Sequence, residues 1–356
     1  MFSLNVVVVI VSKTLPYAED KCKYYNGEIP EDYILKAGDL IVTMTDLSKE
    51  VDTLGYSAIV PSDPNRTFLH NQRIGLIIQL NSDADLYFLN WLMRTPEYRF
   101  HVVSSASGST VGHTSPSRIK EYVFNLPPLP EQLAIASVLS CLDDKIDLLH
   151  RQNKTLDAMA ETLFRQWFVE EADEGWEKDT LLELIQLVGG GTPKTSIPDY
   201  WDGNIPWLAG GDIASNHKSF IINTEKKITE NGINNSSAKL LPKYATVISA
   251  RGTVGKYCLL AKPMAFSQSN YGILPKIENC YFFTYLLINH VVEELQASAY
   301  GSVFDTITTT TFKENKVPIP PESEIQDFEK SISSYFQKII MNKSQIRTLE
   351  DVRVVV

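Results

Sequence analysis

The chain has few cysteines and no pattern among them that binds metal. Its 356 residues include four cysteines, at positions 22, 141, 258 and 280, and no two of them form a C-x-x-C pair. The six histidines show no ligand spacing either. Zinc sites and disulfide frameworks both need such spacings. We therefore expect no metal site in this chain and a reducing, cytoplasmic location.

Long hydrophobic runs are also missing. The longest candidate opens the chain, in MFSLNVVVVIVSK, and ends at Val11. A helix that crosses a membrane needs about 20 apolar residues, and a signal peptide begins with basic residues. This run has neither property, so it predicts a buried strand, and we expect no membrane partner.

Positive charge is scarce overall but unevenly spread. The chain has 33 Lys and Arg against 43 Asp and Glu, a net charge of −10, which argues against a nucleic-acid partner. Residues 131–174 hold ten acidic and four basic residues (net −6), whereas residues 194–276 hold ten basic and five acidic residues (net +5). A basic face of this kind can still bind phosphate locally.

Motifs for nucleotide binding are absent, although one stretch looks like a phosphate loop at first. This stretch is GGGTPKTSIPDYWDGNIPWLAGGDI, from Gly189 to Ile213. A phosphate loop needs a glycine directly before its lysine, so that backbone N–H groups surround the phosphates. Here Lys194 follows Pro193, and proline has no N–H. The glycines and Thr-Pro instead predict a tight turn that enters a strand.

Catalytic constellations are missing as well. Asp199 and the later Glu225-Lys226-Lys227 loosely resemble the PD…ExK pattern of Mg²⁺-dependent nucleases, but the pattern is short and degenerate. The chain has no Ser–His–Asp, HExxH or dinucleotide signature. NLPPLPEQ has the prolines but not the motif of a DNA methyltransferase. We therefore expect no catalytic residue in this chain.

The strongest positive signal is an internal repeat. When the sequence is shifted by 193 residues without gaps, residues 105–156 match residues 298–349 at 15 of 52 positions. The period is far too long for a solenoid. It predicts a duplicated unit, each copy being a domain followed by a helix.

Each copy ends in a stretch with apolar residues at heptad spacing, which is typical of helices that pack along a seam. The first stretch predicts a helix over 131–168, about 55 Å long at 1.5 Å per residue. The predicted seam residues are Ile135, Leu139, Leu142, Ile146, Leu149, Asn153, Leu156 and Leu163 in the first helix, and Phe328, Ile332, Tyr335, Ile339, Asn342, Ile346 and Leu349 in the second. We expect the two seams to pack against each other, the alternative being that each helix packs on its own domain.

Each seam contains one asparagine, Asn153 in the first helix and Asn342 in the second. A buried polar residue at such a position costs stability but can fix register and partner choice.

The region before each helix is rich in short β-type runs, glycine and threonine. GDLIVTMTDLSKEVDTLGYSAIV in the first copy and ATVISARGTVGKYCLLAKPMAF in the second are examples. The patterns YFLNWLMRTPEYRFHVVS and YFFTYLLINHVVEELQAS predict amphipathic helices beside them. Short strands broken by turns, with such helices, predict a mixed, β-rich α/β domain.

The remaining polar residues are of the types that contact DNA. Arginine reads guanine, whereas glutamine and asparagine read adenine, and lysine binds phosphate. The candidate DNA-binding residues are Lys194, Asn204, Trp207, Arg251, Thr253, Lys256, Gln268, Ser269 and Asn270, together with Asn71, Gln72 and Arg73. For each of them a solvated loop position is the alternative, and for Trp207 and Trp201 it is packing within the domain.

These features together resemble the specificity (S) subunit of type I restriction-modification systems. The residues that carry the resemblance are GGGTPKTSIPDYWDGNIPWLAGGDI, KLLPKYATVISARGTVGK, FSQSNYGI and LPPLPEQLAIASVLSCLDDKIDLLHRQNKTLDAMAETLFRQWF, in the order domain, helix, domain, helix. The resemblance covers nearly everything from about Lys36 onward.

The resemblance implies an architecture and a function. Target-recognition domains over 1–126 and 171–320 would each read one half of a gapped double-stranded DNA sequence. Helices over 127–170 and 321–356 would form an antiparallel coiled coil that sets the gap and docks methyltransferase subunits. The chain would not be an enzyme and would hold no cofactor. S-adenosylmethionine, ATP and Mg²⁺ would bind to the partner methyltransferase and restriction subunits.

The sequence departs from that pattern at two places. Asp39 begins a run whose counterpart begins at Ala245, much further from the start of its own domain near Gly175, so the first copy is the shorter one. What remains before Tyr24 looks unlike the second copy, and the second helix is shorter than the first. We therefore expect an N-terminally incomplete first domain, impaired in reading its half-site. Two other functions stay open, namely a Mg²⁺-dependent nuclease and a coiled-coil scaffold without DNA contact.

Overall fold

A computed structural model describes residues 5–8, 23–46, 53–79, 83–104, 106, 112–300 and 306–355. The chain divides into two compact units, residues 1–147 with 352–356, and residues 148–351. The boundary between the units falls inside the first long helix. Among the described residues, no helix is long and apolar enough to span a membrane.

The described residues of the first unit form nine strands and three short α-helices, and the first long helix starts in this unit. The strands are β1 (Asn5–Val8), β2 (Lys23–Tyr25), β3 (Ile34–Leu35), β4 (Leu40–Thr43), β5 (Thr45–Asp46), β6 (Ser57–Ile59), β7 (Arg66–Leu69), β8 (Ile74–Leu76) and β9 (Gly112–His113). The helices are α1 (Leu86–Leu92), α2 (Pro96–Ser104), α3 (Pro116–Lys120) and α4 (Leu129–Arg165).

The second unit has eleven described strands and the remaining helices. The strands are β10 (Lys178–Thr180), β11 (Ile185–Gly189), β12 (Trp201–Leu208), β13 (Phe220–Ile221), β14 (Lys226–Ile228), β15 (Leu240–Leu241), β16 (Thr246–Ser249), β17 (Tyr257–Leu260), β18 (Met264–Phe266), β19 (Asn270–Pro275) and β20 (Lys316–Pro318). The helices are α5 (Gly210–Ser215), α6 (Glu230–Asn234), α7 (Tyr281–Tyr300), α8 (Thr309–Glu314) and α9 (Glu322–Val355). The predicted mixed α/β class is thus confirmed.

The two units repeat one sheet. The order is β2-β1-β7-β3 in the first unit and β14-β12-β18-β15 in the second. In both sheets the central pair is parallel and the two outer pairs are antiparallel. Strand β1 therefore occupies the place of β12, with Val7 opposite Phe68 as Leu208 is opposite Phe266. This strand therefore has a counterpart in the second copy, although the sequence before Tyr24 looks unlike that copy.

The second sheet differs in size between the units. In the second unit its order is β11-β19-β16-β17-β13, and in the first unit it is β6-β4-β8. The three strands of the smaller sheet match the central β17-β16-β19 of the larger one. No counterpart of β11 or β13 is found among the described residues of the first unit.

The two long helices meet along the predicted seam within the second unit. The Asn342 amide donates to the Asn153 side-chain oxygen at 2.8 Å, and the rings of Trp167 and Phe328 lie 5.6 Å apart. Trp167 follows Asn153 by 14 residues, in the π-helical turn Gln166–Glu170 that continues α4, whereas Phe328 precedes Asn342 by 14 residues in α9. The helices are therefore antiparallel and in heptad register there, and the polar residue of each seam is paired with the other.

None of the predicted seam residues is exposed. Buried among them are Leu139, Ile146, Leu149, Asn153, Phe328, Ile332, Ile339, Asn342 and Ile346, and half-buried are Ile135, Leu142, Leu156, Leu163, Tyr335 and Leu349. The second helix also packs on its own domain, because the ring of Phe336 stacks on Phe282 at 4.5 Å. Both arrangements considered from the sequence therefore occur together.

Each long helix also sends one buried polar side chain to the start of a domain helix. The Gln132 side-chain oxygen accepts the N–H of Asp85, the residue that caps α1. In the second unit the Glu329 carboxylate accepts the N–H groups of Phe282 and Phe283, in the first turn of α7. Such bonds satisfy N–H groups that have no partner inside their own helix.

Glu329 makes the stability of the second unit depend on pH. Burial raises the pKa of this carboxyl to about 7, even though the backbone N–H groups of Phe283 and Phe282 favour its ionised form. Between the ordinary pKa of 4.5 and pH 7 the folded chain therefore holds a proton that the unfolded chain releases. Stability from this group is full below about pH 4.5 and is lost as the pH rises to 7.

Glu329→Gln cannot ionise at this position, so it is expected to flatten the dependence of the free energy of unfolding on pH between 4.5 and 7. Urea unfolding of both proteins at several pH values between 4.5 and 7 measures the difference. Parallel profiles for the two proteins would contradict this account of Glu329.

Candidate nucleic-acid interface

Two neighbouring turns of the second unit gather six of the candidate DNA-binding residues. The first turn joins β16 to β17 and contains Arg251, Thr253 and Lys256, and the second joins β18 to β19 and contains Gln268 and Ser269, with Asn270 at its end. The two turns are held side by side, because the Ala250 N–H donates to the Ser269 carbonyl at 3.0 Å.

The first turn is rigid, although it lies at the surface. The Thr253 hydroxyl donates to the hydroxyl of Ser249 at 3.1 Å, and Ser249 in turn donates to the carbonyl of Arg251 at 3.0 Å. Gly252 and Gly255 both have φ of +78°, a conformation that favours glycine. The turn therefore holds the exposed Arg251 side chain on a backbone that is already ordered, which lowers the entropy lost on binding.

The second turn exposes only part of its polar side chains. Gln268 is exposed and Ser269 half-buried, but Asn270 is 2% exposed and its amide donates to the Ser267 hydroxyl at 2.8 Å. A side chain enclosed in this way cannot reach a base edge. The assignment of Asn270 as a DNA contact is therefore corrected to that of a residue that holds the turn.

Trp207 needs the same correction. It is 6% exposed, its indole N–H donates to the carbonyl of Gly191 at 3.0 Å, and its ring meets that of Trp201 edge to face at 5.2 Å. The side chain packs among the buried residues Ile228 and Ala265. Packing within the domain, which the sequence had left open, is the role that the structure gives it.

Lys194 and Asn204 are exposed, but no described hydrogen bond links them to the two turns. The Lys194 carbonyl accepts the indole N–H of Trp201 at 3.3 Å, in the segment between β11 and β12. Asn204 lies within β12, where the register shifts between Trp201 and Ile205. No described contact joins either residue to Arg251 or Gln268, so their contribution to DNA binding stays a prediction.

The first unit has the same kind of turn at the equivalent place. Asn71, Gln72 and Arg73 join β7 to β8, and the Asn71 side chain accepts the N–H of Arg73 at 2.8 Å. The Met44 N–H donates to the Arg73 carbonyl at 2.8 Å, as Ala250 does to Ser269 in the second unit. Both copies thus place a polar turn beside the end of the same strand.

Sequence reasoning did not place His217 and Lys218 beside the first turn. The Tyr257 N–H donates to the His217 ring at 3.3 Å, and the two rings meet edge to face at 5.1 Å. Burial and then the charges of Lys256 and Lys218 lower the pKa of His217, which keeps it neutral near pH 7. Its sequence neighbourhood, SNHKS, has no ligand or catalytic spacing, and only the pairing of β13 with β17 brings it to Lys256.

The structure can also be searched for residues that could hold a metal ion. In the ranges that the structure describes, no group of three or more His, Cys, Asp or Glu could hold a metal ion. The Asp199 carbonyl accepts the Thr229 hydroxyl, and the Glu225 N–H donates to Asp212, so both lie in loop hydrogen bonds.

Comparison with known proteins gives one family. The model of the type I restriction modification DNA specificity domain matches residues 14–158 and again residues 173–351. The MjaIX specificity subunit of Methanocaldococcus jannaschii is 28% identical over 187 residues, which is 52% of this chain and 43% of that relative. The HindI specificity subunit of Haemophilus influenzae is 22% identical over 384 aligned positions, covering 84% of this chain and 83% of that relative.

The fold also matches that of a solved structure. It is the S subunit of a type I restriction-modification system from M. genitalium, with a TM-score of 0.64 and 16% identity. The superposition covers 99% of this chain and 86% of that chain. The alignment with the M. jannaschii relative, in contrast, spans less than half of that relative's length.

Proposed function

Because the chain belongs to the type I restriction modification DNA specificity family, we propose that it recognises DNA and is not itself an enzyme. The observation that carries the proposal is the polar turn repeated in both units beside the same strand end. Two such turns on duplicated domains suit a target in two parts, one read by each unit. The exposed Arg251 and Gln268 are of the types that read guanine and adenine.

The partners follow from the same proposal. The seam of α4 and α9 would set the distance between the two recognised parts and dock methyltransferase subunits, and restriction subunits would join through them. S-adenosylmethionine, ATP and Mg²⁺ would be bound by those subunits and not by this chain. Paired asparagines in the seam would hold one register of the helices.

Selection of DNA tests the proposal. Random duplexes retained by the full chain, assembled with its methyltransferase subunits, are sequenced after several rounds. We expect two short enriched blocks separated by a constant gap. A retained pool without sequence enrichment would favour a coiled-coil scaffold instead.

The nuclease alternative is tested separately. A nuclease would cut DNA in the presence of Mg²⁺, and Asp199→Ala with Glu225→Ala would abolish the cutting. We expect the purified chain to leave supercoiled plasmid intact with and without Mg²⁺. Cutting that disappears in the double variant would overturn the non-enzymatic assignment.

Removing the basic side chains of the first turn should weaken DNA binding. Arg251→Ala is expected to reduce affinity for the selected duplex by about 1–3 kcal/mol and to relax the base preference at one position. Lys256→Ala should weaken binding to all sequences. It should also lower the slope of log K against log salt concentration by about one. Fluorescence anisotropy titrations at several salt concentrations measure both, and unchanged affinity in both variants would sink the assignment of this turn.

A further inference from the structure

A second group of basic residues lies at the other end of strand β17. Strands β13 and β17 run parallel, with Ile221 opposite Leu260, and the Ala261 N–H donates to the Ile221 carbonyl at 3.0 Å. Asn223 and Lys262 each come two residues after that pair, so they leave the sheet side by side. The Lys262 ammonium donates to the Asn223 side-chain oxygen at 2.8 Å. The lysine is thereby held at the edge of the sheet.

Helix α9 reaches the same edge. The Lys343 ammonium donates to the carbonyl of Phe220, the first residue of β13, at 3.0 Å. Arg347 lies four residues later, one turn along the same face of the helix. Its charge and that of Lys227 in β14 both act on Lys262, whose pKa is lowered first by burial and then by these two cations. Lys227 lies in β14, four residues after Asn223, so three positive side chains, from the end of β17, from β14 and from α9, gather near this edge.

These cations have no described counterion. Lys227 and Arg347 are exposed, and within residues 148–300 and 306–351 no ion pair involves them or Lys262. Like charges gathered without a partner repel each other, and the chain as a whole has a surplus of acids available. Such a group is stabilised when an anion binds it.

The basic group and the first turn of the candidate interface lie at opposite ends of β17. The first turn enters β17 at Tyr257, and Lys262 follows the end of the strand, so Lys256 and Lys262 are at most about 20 Å apart, at roughly 3.3 Å per residue. That distance corresponds to about six base steps at 3.4 Å per step of one strand. Phosphates several base pairs away from the bases read by the turn would fall at this edge.

We propose that Lys227, Lys262 and Arg347 form a site for the phosphodiester backbone of double-stranded DNA, outside the bases that the turns read. The proposal rests on the DNA-recognition function above and adds a contact that carries no sequence information. It makes helix α9 a DNA-contacting element as well as part of the seam. Binding through these residues strengthens attachment to every sequence equally and depends steeply on salt.

The test compares a charge-removing variant with a matched control. Lys262→Gln with Arg347→Gln removes two charges, and the glutamine at 262 keeps a donor for Asn223. Lys178→Gln with Lys338→Gln removes the same charge from exposed positions outside the group. Each full chain, assembled with its methyltransferase subunits, is titrated against the selected duplex and a scrambled duplex between about 50 and 200 mM salt. Equal thermal midpoints establish that the variants are folded.

We expect the slope of log K against log salt to fall by about two in the first variant, at roughly 0.9 per phosphate contact. The loss should be equal on both duplexes, and the control should keep the wild-type slope. An unchanged slope, a loss confined to the selected duplex, or a loss of methyltransferase binding alone would overturn the proposal. Failure of the recognition function itself would look different, because the unaltered chain would then not distinguish the two duplexes.

Discussion

Replacing Phe328 by alanine is expected to lower the free energy of unfolding of the second unit by about 3–5 kcal/mol. Phe328 is fully buried, and its ring lies 4.9 Å from that of Phe168, 5.6 Å from Trp167 and 5.9 Å from Phe164. It also lies 6.4 Å from Phe283 in α7. The ring therefore joins the start of α9, the end of α4 and the domain, and its removal leaves a cavity that four rigid aromatic neighbours cannot fill.

Met341→Ala provides the control on the same helix. Its side chain is 64% exposed, so the change should stay within about 0.5 kcal/mol. Urea unfolding followed by tryptophan fluorescence measures both variants, since Trp167 belongs to the affected cluster. Similar losses for Phe328→Ala and Met341→Ala would mean that the cluster does not join the helix to the domain.

Gly191→Ala is expected to lower the free energy of unfolding of the second unit by about 3 kcal/mol or more. A Cβ atom at this position would lie 2.2 Å from the Ser237 backbone carbon, and main-chain atoms cannot move aside cheaply. The Gly191 N–H donates to the carbonyl of Phe266, and the carbonyl of Gly191 accepts the indole N–H of Trp207. The backbone of Gly191 is therefore fixed on both sides. Close backbone approach is thus the reason for glycine in this part of GGGTP.

Gly189→Ala is the matched control two residues away. No atom lies within 4 Å of a Cβ built at Gly189, so the second unit should fold and bind DNA as before. Circular dichroism melting of the two variants measures the contrast. A phosphate-binding role for the glycines would instead predict that both variants fold normally. Equal stability of the two proteins would therefore contradict the packing explanation.

The features that the sequence predicted well are periodic or repeated. The heptad positions of α4 and α9 were identified because a helix places every seventh residue on one face, and Asn153 and Asn342 meet there. The mixed α/β class likewise followed from short strand patterns that occur twice.

Features that depend on pairing between distant segments could not be predicted. Asn5–Val8 shows only a run of valines, and its equivalence to Trp201–Leu208 appears when both pair with the same neighbouring strands. His217 is brought to Lys256 by the β13–β17 pairing, and Arg347 to Lys262 by the packing of α9. The residue types alone do not show which of these distant segments lie next to each other in the fold.

Burial also limited the prediction of the interface. Trp207 and Asn270 are of the right chemical types for DNA, but both are enclosed. An amide or an indole N–H satisfies a buried partner as readily as a base edge. Arg251 and Gln268 have the same chemistry at exposed positions, and this difference follows from the geometry of the turns. The division of the chain into four segments and the impairment of the first recognition domain stay predictions.

The central claim is recognition of a DNA target in two parts by one chain. Its most direct test is the affinity of the full assembly for the selected duplex when one block, the other block, or the gap between them is altered. We expect each altered base pair within a block to cost about 1–3 kcal/mol, and one added base pair in the gap to lower the affinity although every block is intact. Affinity that remains at the level of the original duplex in all three cases would contradict the account.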